Sequence, residues 1–238
     1  MKRLYYLAFF IPIFLWSLQI STYALEAVAK RVIPVNQVPS RQLLQNTSFE
    51  ARSYRLFAGW KSWGQGYGIT REQKHSGNTS IVCSAADNKS ELGVNQVVEL
   101  NQSLPRTKAA TGWSLARDVD GIPDSNYSIY LDLEYQDGTP LWGQTGNFST
   151  GTHNWEKRTI VFIPNKPIKR ITLHAIFRWH VGTAYFDDFE LRELQSPPGA
   201  SSFDDVYVIP ETGVPVGPTD WIEFTRKENL ALQQDCSL

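Results

Sequence analysis

The chain has 238 residues and 27.0 kDa, 42% of it hydrophobic and 20% charged, which suits one good-sized domain or two small ones with a substantial core. Lys+Arg 23 against Asp+Glu 24 gives a net charge of −1, so no cationic surplus exists for phosphate backbones and no nucleic-acid partner is expected. Two cysteines, Cys83 and Cys236, exclude a disulfide framework and a Cys-rich zinc site. Aromatic residues reach 13%, with 8 Trp, which fits either an aromatic-rich core or a surface that stacks on flat or sugar-like ligands.

Residues 1–24 have the parts of a secretory signal peptide. Lys2 and Arg3 precede an apolar run from Leu4 to Trp16, and small residues close the segment at Ala24. The run is short of the roughly 20 residues that a spanning helix needs, so cleavage is preferred over an uncleaved anchor. The mature chain is then expected outside the cytoplasm, free of the membrane and monomeric. Residues 25–45 read as a leader or linker. Asn46, Asn78, Asn88, Asn101, Asn126 and Asn147 each begin an Asn-X-Ser sequon. Glycosylation in a eukaryotic secretory pathway and a merely Asn- and Ser-rich bacterial surface protein both fit this pattern.

From 46 to 194 the pattern is all-β. Runs at Thr79–Ser84, Gly93–Leu100, Ala109–Ala116, Tyr127–Tyr135, Trp155–Ile163, Ile171–Arg178 and Ala184–Leu191 are separated by turn residues such as Asp137-Gly138. Many short strands at modest spacing predict a jelly-roll β-sandwich. Alternation places Ile129, Leu131 and Leu133 on one face, with Tyr130, Asp132 and Glu134 on the other. Likewise Leu173, Ala175 and Phe177 oppose His174, Ile176 and Arg178. The second face carries ligand-reading chemistry. The stretch Thr139–Gln144 reads as a loop that offers Trp142 and Gln144, while Trp63 and Tyr67 lie among glycines and His180 near the Gly182 turn. Trp113 and Trp155, inside strands, lean towards the core. Residues 195–238 are a Pro- and Gly-rich tail, with a short echo of the last strand at Ser202–Val208 and a helical stretch near Arg226–Gln234.

Asp187 shares its expected strand face with Tyr185, Phe189 and Leu191. A carboxylate there must be hydrogen-bonded, paired or metal-bound. Glu50 is its natural partner if the first and last strands are neighbours, and hard oxygen ligands suit calcium. An Asp that merely bonds backbone N–H groups is the alternative.

Four motifs then stand in order: Asn46-Thr47-Ser48-Phe49-Glu50, then Trp60 and Trp63, then His75-Ser76-Gly77-Asn78-Thr79-Ser80, and lastly Ala184–Leu191. Together they resemble the carbohydrate-binding modules of the families four, nine and twenty-two group. The resemblance spans about 46–194 and implies a galactose-binding-like β-sandwich that binds polysaccharide across a concave sheet face without cleaving it. It also implies a structural calcium held by Glu50 and Asp187, with carbonyls near Ser48 and in the Gln73–Ser76 turn. The candidate glycan contacts are Trp63, Tyr67, Tyr130, Asp132, Glu134, Trp142, Gln144, His174, Arg178 and His180. Ser48 departs from the pattern, which commonly has Gly there. Two other readings stay open: the N-terminal portion of a secreted glycoside hydrolase, and an adhesion or matrix module. Asp132 and Glu134 stand on one strand face, hence on one side of any bound sugar, which is wrong for a catalytic acid and nucleophile.

Overall fold

A computed structural model describes residues 39–194 throughout, together with backbone strands at 30–34, 201–203 and 206–210. The signal segment and the stretch near Arg226–Gln234 lie outside the described residues. The strands are β1 (Lys30–Pro34), β2 (Ser40–Gln42), β3 (Arg52–Ser53), β4 (Leu56–Phe57), β5 (Lys61–Gly64), β6 (Gly68–Thr70), β7 (Ser80–Ala85) and β8 (Glu91–Glu99). They continue as β9 (Lys108–Val119), β10 (Tyr127–Tyr135), β11 (Pro140–Asn147), β12 (Gly151–Phe162), β13 (Ile168–Arg178), β14 (Gly182–Leu194), β15 (Ser201–Phe203) and β16 (Val206–Pro210).

Two antiparallel sheets form a β-sandwich, as the alternation predicts. One has the order β11-β10-β13-β8-β5 and the other β12-β9-β14-β7-β6, with β2 added to β14. Inward residues from both sheets make one core, in which Ile129, Leu131, Leu133, Leu173 and Phe177 meet Ile81, Ala116, Phe186, Phe189 and Leu191. The leader and tail are not purely irregular: β1 pairs with β16, and β15 with β16, in a separate three-stranded sheet. The Ser202–Val208 echo therefore pairs with the leader's strand rather than extending the sandwich.

Two departures from the expected pattern shape the sites. The stretch Thr139–Gln144 is no loop, because β11 forms there and pairs with β10 through an irregularity between Leu131 and Leu133. Its Gly and polar content hid an edge strand, which needs only one paired side. The second departure is a bulge in β14. Asp187 stands opposite Trp113 and Glu190 opposite Thr111, so Asp188 and Phe189 share the single position facing Gly112. Phe189 fills the space over Gly112, where a Cβ would lie 2.7 Å from its ring. The bulge resets the alternation. Phe189 and Leu191 face the core, whereas Asp187 lies on the outer face with Tyr185, not with Phe189 and Leu191 as simple alternation predicts.

Lys108 is fully buried at one end of the sandwich. Its ammonium donates to the Arg106 carbonyl at 2.6 Å and pairs with Glu193 at 3.2 Å. Burial pushes the Lys108 pKa down, and the Glu193 charge pulls it back up. Removing one partner of such a pair strands the other charge. Glu193→Gln is therefore expected to cost about 3 kcal/mol of stability, read by urea denaturation; a loss within the scatter of neutral surface substitutions would show that the pair contributes nothing.

Candidate functional site

The outer face of the five-stranded sheet brings together residues from β5, β10, β11 and β13. Trp63 opposes Gly93 across the β5–β8 pair, and Tyr130 opposes His174 across β10–β13. Gly93 has φ +152, and a Cβ there would lie 2.3 Å from the Ala175 carbonyl and 3.4 Å from the Trp63 ring. Glycine thus lets the indole settle against the sheet. The rings of Trp63 and Tyr130 meet His174 edge-on at 6.1 and 5.9 Å.

Arg178 caps this group. Its guanidinium carbon lies 5.7 Å from the Trp63 ring, 5.8 Å from Tyr130 and 4.6 Å from Trp179. Its Nε donates to Asn126 Oδ1 at 2.9 Å, which fixes the plane of the group. Beneath the layer, Ile176 is 1% and His174 6% exposed. Both lie outward, as alternation predicts, but the aromatic and cationic side chains cover them. Both imidazole nitrogens of His174 lack a hydrogen-bond partner, and Asp132 Oδ2 is 3.6 Å from Nε2. A buried polar group without partners is rare and calls for an explanation.

Trp142 is 61% exposed on edge strand β11, and the Gly143 N–H beside it donates to Asp132 at 3.2 Å. A Cβ on Gly143 would come within 3.1 Å of the Tyr130 hydroxyl, so glycine again lets backbone approach the ring. Trp63, Tyr130, Asp132, His174 and Arg178 therefore converge, with Trp142 at the edge.

Four predicted contacts do not join them. Tyr67 is stacked on Phe57 at 5.9 Å, and its hydroxyl accepts the Phe57 N–H at 3.0 Å, so it packs against the core. Gln144 stands opposite the inward-facing Leu131 and donates to the Trp142 carbonyl at 3.3 Å. Glu134 lies at the end of the sheet, paired with Lys169 at 2.8 Å and with Arg170. The Lys169 bond, with these cations, lowers its pKa, the reverse of what a general acid needs. His180 is 5% exposed, stacked on Phe177, with its nitrogens on the Asp120 carbonyl at 2.8 Å and Asp124 at 3.1 Å. It anchors the rim.

Sequence reasoning missed Trp179, 51% exposed with φ +56, whose Nε1 donates to Glu91 at 3.2 Å. Its place between Arg178 and the Gly182 turn was the available signal. Trp113 and Trp155 lie outside the core cluster. The Trp113 ring is stacked on His75 at 3.9 Å, and Trp155 meets His75 edge-on at 5.6 Å.

The carboxylates Glu50 and Asp187 grip one turn from two sides. Glu50 Oε1 accepts the N–H groups of Asn78 and Thr79 at 2.8 and 2.9 Å, and Oε2 accepts the Asn78 amide at 3.2 Å. Gly77 makes room, because a Cβ there would overlap the Glu50 carboxylate. Asp187 Oδ2 accepts the N–H groups of His75 and Ser76 at 2.9 and 3.1 Å, and Oδ1 accepts that of Asp188 at 2.8 Å. Burial pushes the Asp187 pKa up to about 6, and the Asp188 charge adds to this while the N–H donors pull it down. Asp188 completes the clasp through His75 Nδ1 at 2.6 Å and the Ser76 hydroxyl at 2.7 Å. The Gln73 carbonyl accepts the Ser80 hydroxyl, and Ser48 sits in the turn before Glu50. The first motif borders the last: Phe189 N–H donates to the Thr47 carbonyl, and β2, just ahead of that motif, pairs with β14. Among the described residues no group of three or more His, Cys, Asp or Glu is arranged to hold a metal ion. An ion here would rest on two carboxylates and complete its shell with carbonyls and water.

No family model matches the chain. Among solved structures it superposes on the CBM22-1 xylan-binding domain of Xyn10C from Paenibacillus barcinonensis with a TM-score of 0.50 and 14% identity, over 67% of this chain and 98% of that one. The sandwich is similar to a carbohydrate-binding module. A family 16 carbohydrate-binding module aligns over 63% of this chain and 98% of its own at a TM-score of 0.46 and 17% identity. By sequence, 158 residues are 28% identical to the tRNA nuclease WapA of Bacillus subtilis, over 63% of this chain. The chain spans only 6% of that relative's length.

The clasp has a consequence for stability. Asp187→Ala leaves three backbone N–H groups without their acceptor, each worth about 1 kcal/mol or more. A loss of about 3 kcal/mol is expected in denaturant unfolding; an unchanged midpoint would mean that water replaces the carboxylate at no cost.

Proposed function

We propose that the chain is a secreted, non-catalytic module that binds polysaccharide on the outer face of its five-stranded sheet. The observation that carries this reading is the cluster of Trp63, Tyr130 and Arg178 over a His174 whose two ring nitrogens have no hydrogen-bond partner. Sugar rings offer apolar C–H faces to aromatic side chains and hydroxyls that both donate and accept. Arg178, Asp132 and His174 supply the matching polar groups, while the rings supply contact area at little entropic cost. The fold likeness supports the reading. The nuclease name belongs to a much longer protein, and a match over 6% of it is the size of one accessory module.

Secretion rests on the leader sequence, and absence of catalysis on the placement of the carboxylates. Glu134 is neutralised by two cations, and Asp132 stands on the same strand face. Soluble glucans, xylans and mannans should yield no reducing sugar. Release that disappears in Asp132→Asn or Glu134→Gln would restore the hydrolase reading.

Trp142 gives the sharper test. Its indole is mostly exposed and supports no core. Trp142→Ala is expected to cost about 2 kcal/mol of glycan affinity, roughly thirtyfold, with the melting temperature almost unmoved. Calorimetric titration and thermal melting of the same sample decide it. Unchanged affinity with lost stability would assign the residue to the framework.

A structural calcium belongs to this proposal. Glu50 and Asp187 would hold it, with carbonyls near Ser48 and in the Gln73–Ser76 turn. Saturating calcium should raise the melting temperature of EDTA-treated protein, by about 2.7 kcal/mol of stability at a hundredfold excess over the dissociation constant. Coincident melting curves with and without calcium would remove the ion from the account.

A further inference from the structure

The outer face of the six-stranded sheet holds a cavity of about 250 Å³ lined by Thr47, Thr111, Trp113, Lys157, Asp188 and Glu190. It lies on the opposite side of the molecule's core from the Trp63–Arg178 cluster, and the bulge in β14 makes it. Because Asp188 and Phe189 share one position opposite Gly112, Phe189 turns inward and Asp188, held at φ +50, turns out beside Asp187. Two consecutive residues of one strand thus point outward, and the neighbouring outward positions Thr111, Trp113 and Glu190 border the gap. A non-glycine residue in the left-handed region costs about 1 kcal/mol or more and persists only where its surroundings enforce it. Here His75 and Ser76 enforce it by bonding both Asp188 oxygens.

The same contacts fix an aromatic wall. His75 is held by Asp188 and stacks on one face of the Trp113 indole at 3.9 Å, tilted by 19°. What remains for a ligand is the opposite face and edge of a ring that is already immobilised. Lys157 stands directly across the β9–β12 pair from Trp113, and its ammonium forms no ion pair with a described residue. Glu190 makes only a 3.4 Å pair with Arg192.

We propose that this cavity is a second glycan subsite, which takes one neutral sugar ring, as a chain end or a side branch. The mixed lining selects that class. Two carboxylates disfavour an anion, and the Lys157 ammonium disfavours a free cation, whereas sugar hydroxyls donate to Asp188 and Glu190 and accept from Lys157. The threonine hydroxyls serve in either role. The volume lies below the usual range of small-molecule pockets, which suits a single ring and not a chain. The subsite rests on the reading of this protein as a glycan binder. With sites on both faces, one molecule would bridge two chains or two parts of one, and avidity would follow from the linkage.

The two faces carry separate reporters in the indole N–H resonances of Trp113 and Trp63. Glucose, xylose, galactose and N-acetylglucosamine, with glycine as a zwitterionic control, are titrated singly into the ¹⁵N-labelled full chain, followed by xylohexaose and β-1,4-galactotriose. The expected result is saturable movement of the Trp113 signal with at least one monosaccharide. In a Lys157→Ala, Glu190→Ala double variant that movement should weaken by about tenfold, with the Trp63 response to oligosaccharides unchanged. Both substituted side chains lie outside the core, and an unchanged melting temperature confirms folding. In Trp63→Ala the Trp113 response should persist. Oligosaccharide binding seen at Trp63 alone would overturn the second subsite and leave the glycan-binding reading standing. A Trp113 response only to glycine or another zwitterion would overturn it equally. Silence at both indoles would overturn both.

Discussion

The carboxylate of Asp187 is the fixed point on which the outer architecture of the six-stranded sheet depends. It is fully buried, yet it lies on the outer face, because the 73–79 turn is laid across it and aims two backbone N–H groups at Oδ2, while the N–H of Asp188 bonds Oδ1. A buried charge is tolerable only when it is well bonded, and three main-chain donors occupy most of its about four lone-pair sites here. Glu50 repeats the device at the other side of the turn. The first motif, the turn and the last strand are thereby tied together, although they lie more than a hundred residues apart at the extremes.

The clasp, the bulge and the stacked His75 are one mechanical unit. The extra residue in β14 sends Asp188 outward, Asp188 orients His75, and His75 pins Trp113. Without the bulge, Asp188 would take the alternate position and face the core with Phe186. Bulges re-aim side chains in this way at little cost to the ladder on either side. The five-stranded sheet solves a different problem. There, Gly93 and Gly143 remove side chains so that Trp63 and Tyr130 can lie close to backbone, and Arg178 is oriented by Asn126 and by three aromatic faces. The two faces are consequently built by opposite means: an added residue on one, missing side chains on the other.

Much of this was legible in the order of residues. Seven strands follow from alternation and turn chemistry, because period-two patterning is a direct record of which side of a half-buried strand meets the core. The outward placement of Tyr130, Asp132, His174 and Arg178 follows from the same rule, and the choice of Glu50 and Asp187 as the carboxylates that bond the 73–79 turn follows from the ordered motifs. The pattern of 139–144 suggests a loop where edge strand β11 forms, since an edge needs neither strong β propensity nor a continuous apolar face. Tyr67, Gln144, Glu134 and His180 are of types that suit sugar hydroxyls, but residue type does not reveal neighbours: Phe57, Leu131, Lys169 and Phe177 stand next to them only after the sheets have formed.

The sequence by itself determined the class of the fold, the inward and outward sets of each regular strand, and the identity of the two clasping carboxylates. These depend on local period and local chemistry, which the chain order contains. Tertiary structure alone decided that Asp187 is satisfied by the 73–79 turn, that His174 is buried under Trp63 and Tyr130, and that Trp113 faces a cavity and not the core. Each of those facts hangs on cross-strand register and on one inserted residue in β14. A single-residue slip reverses every side chain beyond it, and the register that places the slip is set by packing between strands distant in the chain.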